Sequence, residues 1–286
     1  MEKLYYSIVD LPICIESPCR LDISGESDPF LKSEGADIAE RIELLPVESL
    51  PPMGKTGIWH QDRYYAGTEE GEQFHIRSVP GASPYALIEY KNGHHVRVSY
   101  LRDSKDMVFE SGYLLNMLGL EQLLLRHNGL ILHSSFIRWQ GQGILFSAPS
   151  GTGKSTQASL WEEHMKAEVL NGDRAGIRYV DGRWMAFGLP YAGSSHIYKK
   201  ESAPIRAIVV LRQGPENVIW PMATAAALRA LFPEFSAHRW SPVFMNKVLD
   251  IATAMLREIP VYCLECRPDY GAVQLLFNTL KKEDII

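Results

Sequence analysis

Apolar and polar residues alternate along this chain in short runs punctuated by Gly, Pro, Asn and Asp, a rhythm of period two that predicts strands. Leu130–Trp139 and Gly143–Ser147 are two such runs, joined by the hairpin spelling Gln140-Gly141-Gln142. Glu168–Asp173 reads as a short strand. Ile177–Val180 and Arg183–Phe187 flank the two-residue turn Asp181-Gly182. Ile205–Leu211 follows, then a turn at Gln213–Asn217, Val218–Trp220, helical spacing over Ala223–Leu231 and Val243–Glu258, a strand at Pro260–Cys266 and a closing helix at Gly271–Lys281.

Upstream the pattern is strand-rich and carries no motif. Leu4–Val9, Ile13–Ile15, Gln73–Arg77 and Ala86–Tyr90 are strand-like, the last paired with His95–Tyr100 across Asn92-Gly93-His94. Residues 1–105 therefore read as a β-rich accessory region, able to recognise a peptide, form a dimer surface or cover the sheet. Asp106–Arg126, with Tyr113, Leu114, Met117, Leu118, Leu120, Leu123 and Leu124, reads as an amphipathic helix opening the second region, 106–286.

One segment carries chemistry. Ala148-Pro-Ser-Gly-Thr-Gly-Lys-Ser155 stands between a predicted strand and the helix-like Gln157–Glu163, the context of a phosphate-binding loop. Gly151 and Gly153 let backbone N–H groups turn inward toward phosphate oxygens, and the helix N-terminus adds its positive dipole end. Lys154 would reach the β- and γ-phosphates, Ser155 would ligate Mg²⁺, and Ser150 through Thr156 would form the ATP site. Ala148 stands where the strict G-x-x-x-x-G-K-[ST] pattern has its first glycine.

The order of these segments, a strand bearing His133, the hairpin, the loop, its helix, a strand ending at Asp173 and then Gly188-Leu-Pro-Tyr-Ala-Gly193, resembles HPr kinase and its relatives in the phosphoenolpyruvate carboxykinase-like superfamily. The resemblance covers about residues 111–286. It is strongest to small HPr-kinase-like proteins that accompany ribosomal-peptide modification systems, through Ser202–Leu211 and Pro260–Pro268. It implies an α/β fold: a mixed sheet with antiparallel hairpins around the P-loop, a carboxykinase-like core, and the β-rich N-terminal region. It also implies ATP and Mg²⁺ as cofactors, Ser155 and Asp173 as metal ligands, and His133, Lys154 and Asp173 as catalytic residues.

HPr kinases place two adjacent aspartates where this chain has Gly172-Asp173. Asp173 matches the metal-side carboxylate, and the residue that resembles the general base is missing. His133 is the candidate substitute, since an imidazole with a pKa of about 6.5 exchanges protons near neutrality; the structural alternative is a histidine on a half-buried strand. Ser194–Lys200, after the glycine loop, combines hydroxyls and cations suited to a phosphate or substrate clamp, or to a solvated connection.

With 286 residues, 46% hydrophobic and 22% charged, composition is that of a globular protein with a sizeable core. A net charge of −5 and the lack of a basic strip argue against nucleic acid as a partner. No run approaches the about 18 apolar residues of a membrane span, and the expected location is the cytoplasm. Cys14 with Cys19 and Cys263 with Cys266 form two close pairs, the second spelled C-x-x-C on a strand, where residues three apart face opposite ways; reduced thiols are expected. Two function classes stand: an ATP-dependent kinase acting on a hydroxyl of a peptide, protein or small molecule, and a nucleotide-binding scaffold or sensor without chemistry. A carboxykinase is a third, weaker reading. By analogy with HPr kinase, a homo-oligomer is expected.

Overall fold

A computed structural model describes residues 1–21, 27–35, 37–53, 57–68, 71–109, 111–191 and 193–283. The chain divides into two compact units, Met1–Gly119 and Leu120–Ile286. The division falls within the run 106–126. That run is carried by α1 (Lys105–Phe109), α2 (Ser111–Leu118) and α3 (Leu120–Arg126) instead of one helix. Gly119, at φ 69°, takes the left-handed conformation that ends α2.

The first unit is built on one sheet. Its strands are β1 (Glu2–Ile8), β2 (Leu11–Ser17), β3 (Glu40–Val47), β4 (Ile58–His60), β5 (Arg63–Thr68), β6 (Gly71–Ile76), β7 (Ala86–Lys91) and β8 (His95–Leu101), ordered β1-β2-β3-β8-β7-β6-β5-β4. The β2–β3 and β3–β8 pairs are parallel and the others antiparallel. Register explains its cohesion: Ile15 faces Ile42, Ile42 faces Val96 and Val96 faces Tyr90, an apolar row across four strands in which every member is buried. Each such side chain contributes about 1.5–3 kcal/mol by leaving water. The Tyr90 hydroxyl donates to the Leu118 carbonyl, which ties the end of α2 to this sheet.

In the second unit α3 leads into β9 (Leu130–Trp139), β10 (Gln142–Ser147), α4 (Lys154–Met165), β11 (Glu168–Asn171), β12 (Arg174–Val180), β13 (Arg183–Gly188), β14 (Ser202–Gln213), β15 (Val218–Pro221), α5 (Thr224–Leu231), α6 (Pro242–Glu258), β16 (Val261–Cys266) and α7 (Tyr270–Lys282). The hairpins β9–β10 and β12–β13 turn on Gln140-Gly141 and Asp181-Gly182. Both residues of each turn have φ between 47° and 79°, the left-handed pair that matches strand twist. β10 pairs antiparallel with β9 and parallel with β14, while β9 continues through β12 and β13 to β14, so these pairings form a closed ring. β16 and β15 extend from the far half of β14.

Alternation along the strands fills two cores. Leu145, Ile208 and Val210 pack with Leu231, Phe244, Val248 and Met255 of α5 and α6. Ile144, Phe146, Val209 and Leu264 pack with Trp161 of α4 and Val273, Leu276 and Leu280 of α7. The unit is therefore a mixed sheet with helices on both sides. Cys266 belongs to the second packing side with Tyr262 and Leu264, and alternation puts the fully buried Cys263 on the other. All four cysteines are free thiols. Among the described residues no helix is long and apolar enough to cross a membrane.

Candidate functional site

β10 ends at Ser147, whose hydroxyl donates to the His133 carbonyl at 2.9 Å, so the strand that launches the loop is fastened to the strand that carries the histidine. Ala148 is buried in the core beneath α4, which accounts for a methyl group at the first glycine position of the motif. Beyond it the chain turns through Gly151 (φ 79°) and Gly153 (φ 118°), conformations that favour glycine. Gly153 is the N-cap of α4 and supplies no side-chain acceptor to the first-turn amides. From the end of β14, the Gln213 amide donates to the Gly151 and Thr152 carbonyls at 3.3 and 3.4 Å. Ser150, Gly151, Ser155 and Thr156 are exposed, with Thr152 half-buried.

Lys154 is only 7% exposed, and its ammonium donates to the carbonyls of Ala148 (2.8 Å) and Pro149 (3.4 Å) of its own loop. Burial pulls its pKa below the ordinary lysine value, while the charges of Glu234 and Asp173 act in the opposite direction. The charges that act on this cation thus come from carboxylates in distant parts of the chain.

Asp173 lies in a break between strands. β11 pairs with the second half of β9 and β12 with the first half, leaving Gly172-Asp173 at the crossing between them. Asn171, fully buried, holds the break: its side-chain oxygen accepts from the Asp173 and Arg174 amides, both at 2.9 Å, and its amide donates to the Leu189 and Tyr191 carbonyls. The Asp173 carbonyl accepts from the Ser134 amide at 3.0 Å. Its carboxylate has Arg174 Nε at 3.2 Å from one oxygen and His133 Nε2 at 3.7 Å from the other.

His133 meets the two carboxylates whose charges act on Lys154, Asp173 through Nε2 and Glu234 through its other ring nitrogen. That nitrogen, Nδ1, is 2.8 Å from Glu234 Oε2. Sequence reasoning misses Glu234 because it sits 101 residues away in Phe-Pro-Glu, a one-turn helix after α5 that matches no motif. Its one legible signal is an acidic residue in a segment flanked by phenylalanines.

Gly172 has a steric reason. A Cβ built there would lie 2.1 Å from Ser195 Oγ and 2.5 Å from Ser195 Cβ, so the Gly193–Ser195 turn fills the space of a side chain at 172. Rotating one hydroxyl does not relieve both contacts. Gly172→Ala is expected to cost about 1–3 kcal/mol in urea unfolding, and Ser195→Gly in the same chain to recover most of it. If the double variant is no more stable than Gly172→Ala alone, the contact is not the cause.

The Gly188–Gly193 segment is only partly described, since Ala192 lies outside the described residues. A Cβ on Gly193 would lie 2.7 Å from Asp173 Cβ, so the turn touches the carboxylate-bearing residue directly. Lys199, a candidate clamp cation, is instead held at 2.9 Å by Glu168, which Arg138 also contacts; these two cations keep the Glu168 carboxyl below its ordinary pKa.

No curated protein matches this chain. Among solved structures, the chain is similar to the HPr(Ser) kinase/phosphatase from Coxiella burnetii at 8% identity, over 54% of this chain and 94% of that one, with a TM-score of 0.30. A likeness at that level assigns neither fold nor activity. Residues 113–271 match the family described as SynChlorMet cassette protein ScmC, a span that holds every site residue above. That match covers more than half of the 286 residues, and the chain belongs to the ScmC family.

Proposed function

We propose that the second unit is an ATP-dependent phosphotransferase that moves the γ-phosphoryl group to a hydroxyl of a peptide, protein or small molecule. The observation that carries this reading is the convergence of Lys154, Asp173 and His133, from three separate segments, at the mouth of a glycine-turned loop that opens a helix. Phosphoryl transfer passes through a loose transition state and depends on positioning and charge neutralisation, so a site rich in fixed charges suits it. Loop amides and Lys154 would cradle the phosphates. Lys154 would exchange the two loop carbonyls for phosphate oxygens, a stronger charge-assisted contact.

The donors fit magnesium. Ser155 is an exposed hydroxyl in the first turn of α4 and Asp173 a carboxylate with a third of its side chain accessible, both hard oxygen ligands. When bound, Mg²⁺ would neutralise charge on the phosphates. The Gly172 position favours a second reading, a nucleotide-binding protein without turnover, because Ser195 occupies the space that a side chain at 172 would need, the position where the resemblance to HPr kinases expects the general-base carboxylate.

Incubating the purified protein with γ-labelled ATP, Mg²⁺ and a lysate of its source separates the two. Label in a macromolecule or metabolite, absent with Lys154→Ala, is the expected outcome. ATP binding without transfer would replace the kinase reading by the second one.

A further inference from the structure

We infer that Glu234 is a positioning residue that holds the His133 imidazole by Nδ1 and so presents Nε2 to the acceptor hydroxyl; this rests on the phosphotransferase reading. Nothing in the loop motif requires a carboxylate at this place. Glu234 is nevertheless the best-placed partner His133 has: Oε2 lies 2.8 Å from Nδ1, and only a tenth of the Glu234 side chain is accessible. A carboxylate at that distance can only accept, so the proton between them belongs to Nδ1 and the lone pair of the neutral ring to Nε2. Nε2 stands 3.7 Å from Asp173 Oδ1, beyond hydrogen-bond reach.

The backbone makes this geometry rigid. Phe235 forms a β-bridge with Leu132, and the Ser236 amide donates to the Ile131 carbonyl at 2.9 Å, so the segment bearing Glu234 is laced to the strand that bears His133. Arg239 donates to the Pro233 carbonyl at 2.7 Å and fixes the other end. An orienting carboxylate tied to the same strand as its histidine is the second half of a base-and-orienter pair. It supplies what Gly172 lacks. In the transfer step the acceptor oxygen bonds to the γ-phosphorus, the bond from that phosphorus to the bridging oxygen breaks with its electrons leaving on ADP, and the hydroxyl proton passes to Nε2. The resulting imidazolium stands between the Glu234 and Asp173 carboxylates.

The test has two arms on the full chain. Imidazole ¹⁵N spectra at one fixed pH, with the His133 signals assigned by comparison with His133→Gln, are expected to show the Nδ1–H tautomer in wild type and in Glu234→Gln, whose amide oxygen still accepts. Glu234→Ala should give a tautomer mixture. In the phosphotransfer assay Glu234→Ala should lower kcat about 10–100-fold with KM for ATP unchanged, and Glu234→Gln should restore most of it. An Nε2–H tautomer in wild type, or equal changes in kcat and KM, would overturn the inference. Because the spectra need no turnover, an inactive protein with the Nδ1–H tautomer would sink the kinase reading alone and leave the orientation standing.

Discussion

Lys154→Met is expected to lower phosphoryl transfer by about 10²–10³-fold while leaving the protein at least as thermostable as wild type. The loss follows from removing the buried cation at the loop, whose charge no water can replace in a site that a nucleotide would close. Retained stability follows from the same burial. The ammonium is desolvated and two carbonyls of its own loop receive it, whereas methionine fills a similar volume with no polar group to satisfy. The pH dependence has a definite sign. Well below its lowered folded-state pKa the lysine is charged in both states and the burial cost is fully present. As pH rises between that value and the ordinary 10.5, the folded state releases its proton first, so stability rises with pH. The variant lacks this rise, so its advantage over wild type should shrink as the pH climbs toward 10.5 and level off above it. Thermal melts of both proteins from pH 7 upward, beside the transfer assay, read the whole prediction. A destabilised variant would mean that the two loop carbonyls need the ammonium more than the site needs it free.

Gly188→Ala should cost about 3 kcal/mol, at the top of the range expected for Gly172→Ala, because the atoms it meets belong to the backbone and not to a serine side chain. A Cβ at 188 would sit 1.9 Å from the Lys199 carbonyl oxygen and 3.1 Å from its carbon. Lys199 has nowhere to go. Its amide donates to Leu170 O at 2.9 Å, its neighbour Tyr198 bridges Asn171, and the Gly188 amide itself donates to Glu201 O at 2.9 Å. Any retreat would pull on Asn171, the residue that holds Asp173 in place, so a fall in activity should accompany the fall in stability. Urea unfolding with an unchanged m value measures it, and Gly67→Ala, with nothing within 4 Å of the added methyl, should stay within about 0.5 kcal/mol of wild type. A Gly188→Ala cost below about 1 kcal/mol would show that the strand end gives way freely.

Most strands of the second unit were legible because each carries its own local signature: alternation along Leu130–Trp139, a two-residue turn at Asp181-Gly182, a continuous apolar run at Ile205–Leu211. The glycine-turned loop at 148–155, set between β10 and α4, was legible for the same reason, being a local spelling with local consequences. Elements defined by distant partners were not. β3, which contains Pro46 and two glutamates, looks unlike a strand until Ile42 and Leu44 are set against Val96 and Val98. The helix expected over 106–126 has the right apolar spacing, and its leucines are buried, yet Gly119 divides it between the two units. At the site, His133 and Asp173 could be named from family order alone. That they face one another across a strand break shaped by Asn171, and that Glu234 holds the histidine, depends on contacts between residues up to 101 apart, which no spacing along the chain encodes.

The closed ring of strands has a consequence for how this protein comes into being. β10 cannot complete its pairing until β14, whose partner residues begin some sixty positions later, lies alongside it in parallel, and parallel pairing across long separations is entropically slow. Gln213, the last residue of β14, is also the side chain that braces the Gly151 and Thr152 carbonyls. A nascent chain emerging from the ribosome therefore exposes the loop long before it can shape it, and the loop should take its final form late and all at once, when β14 docks.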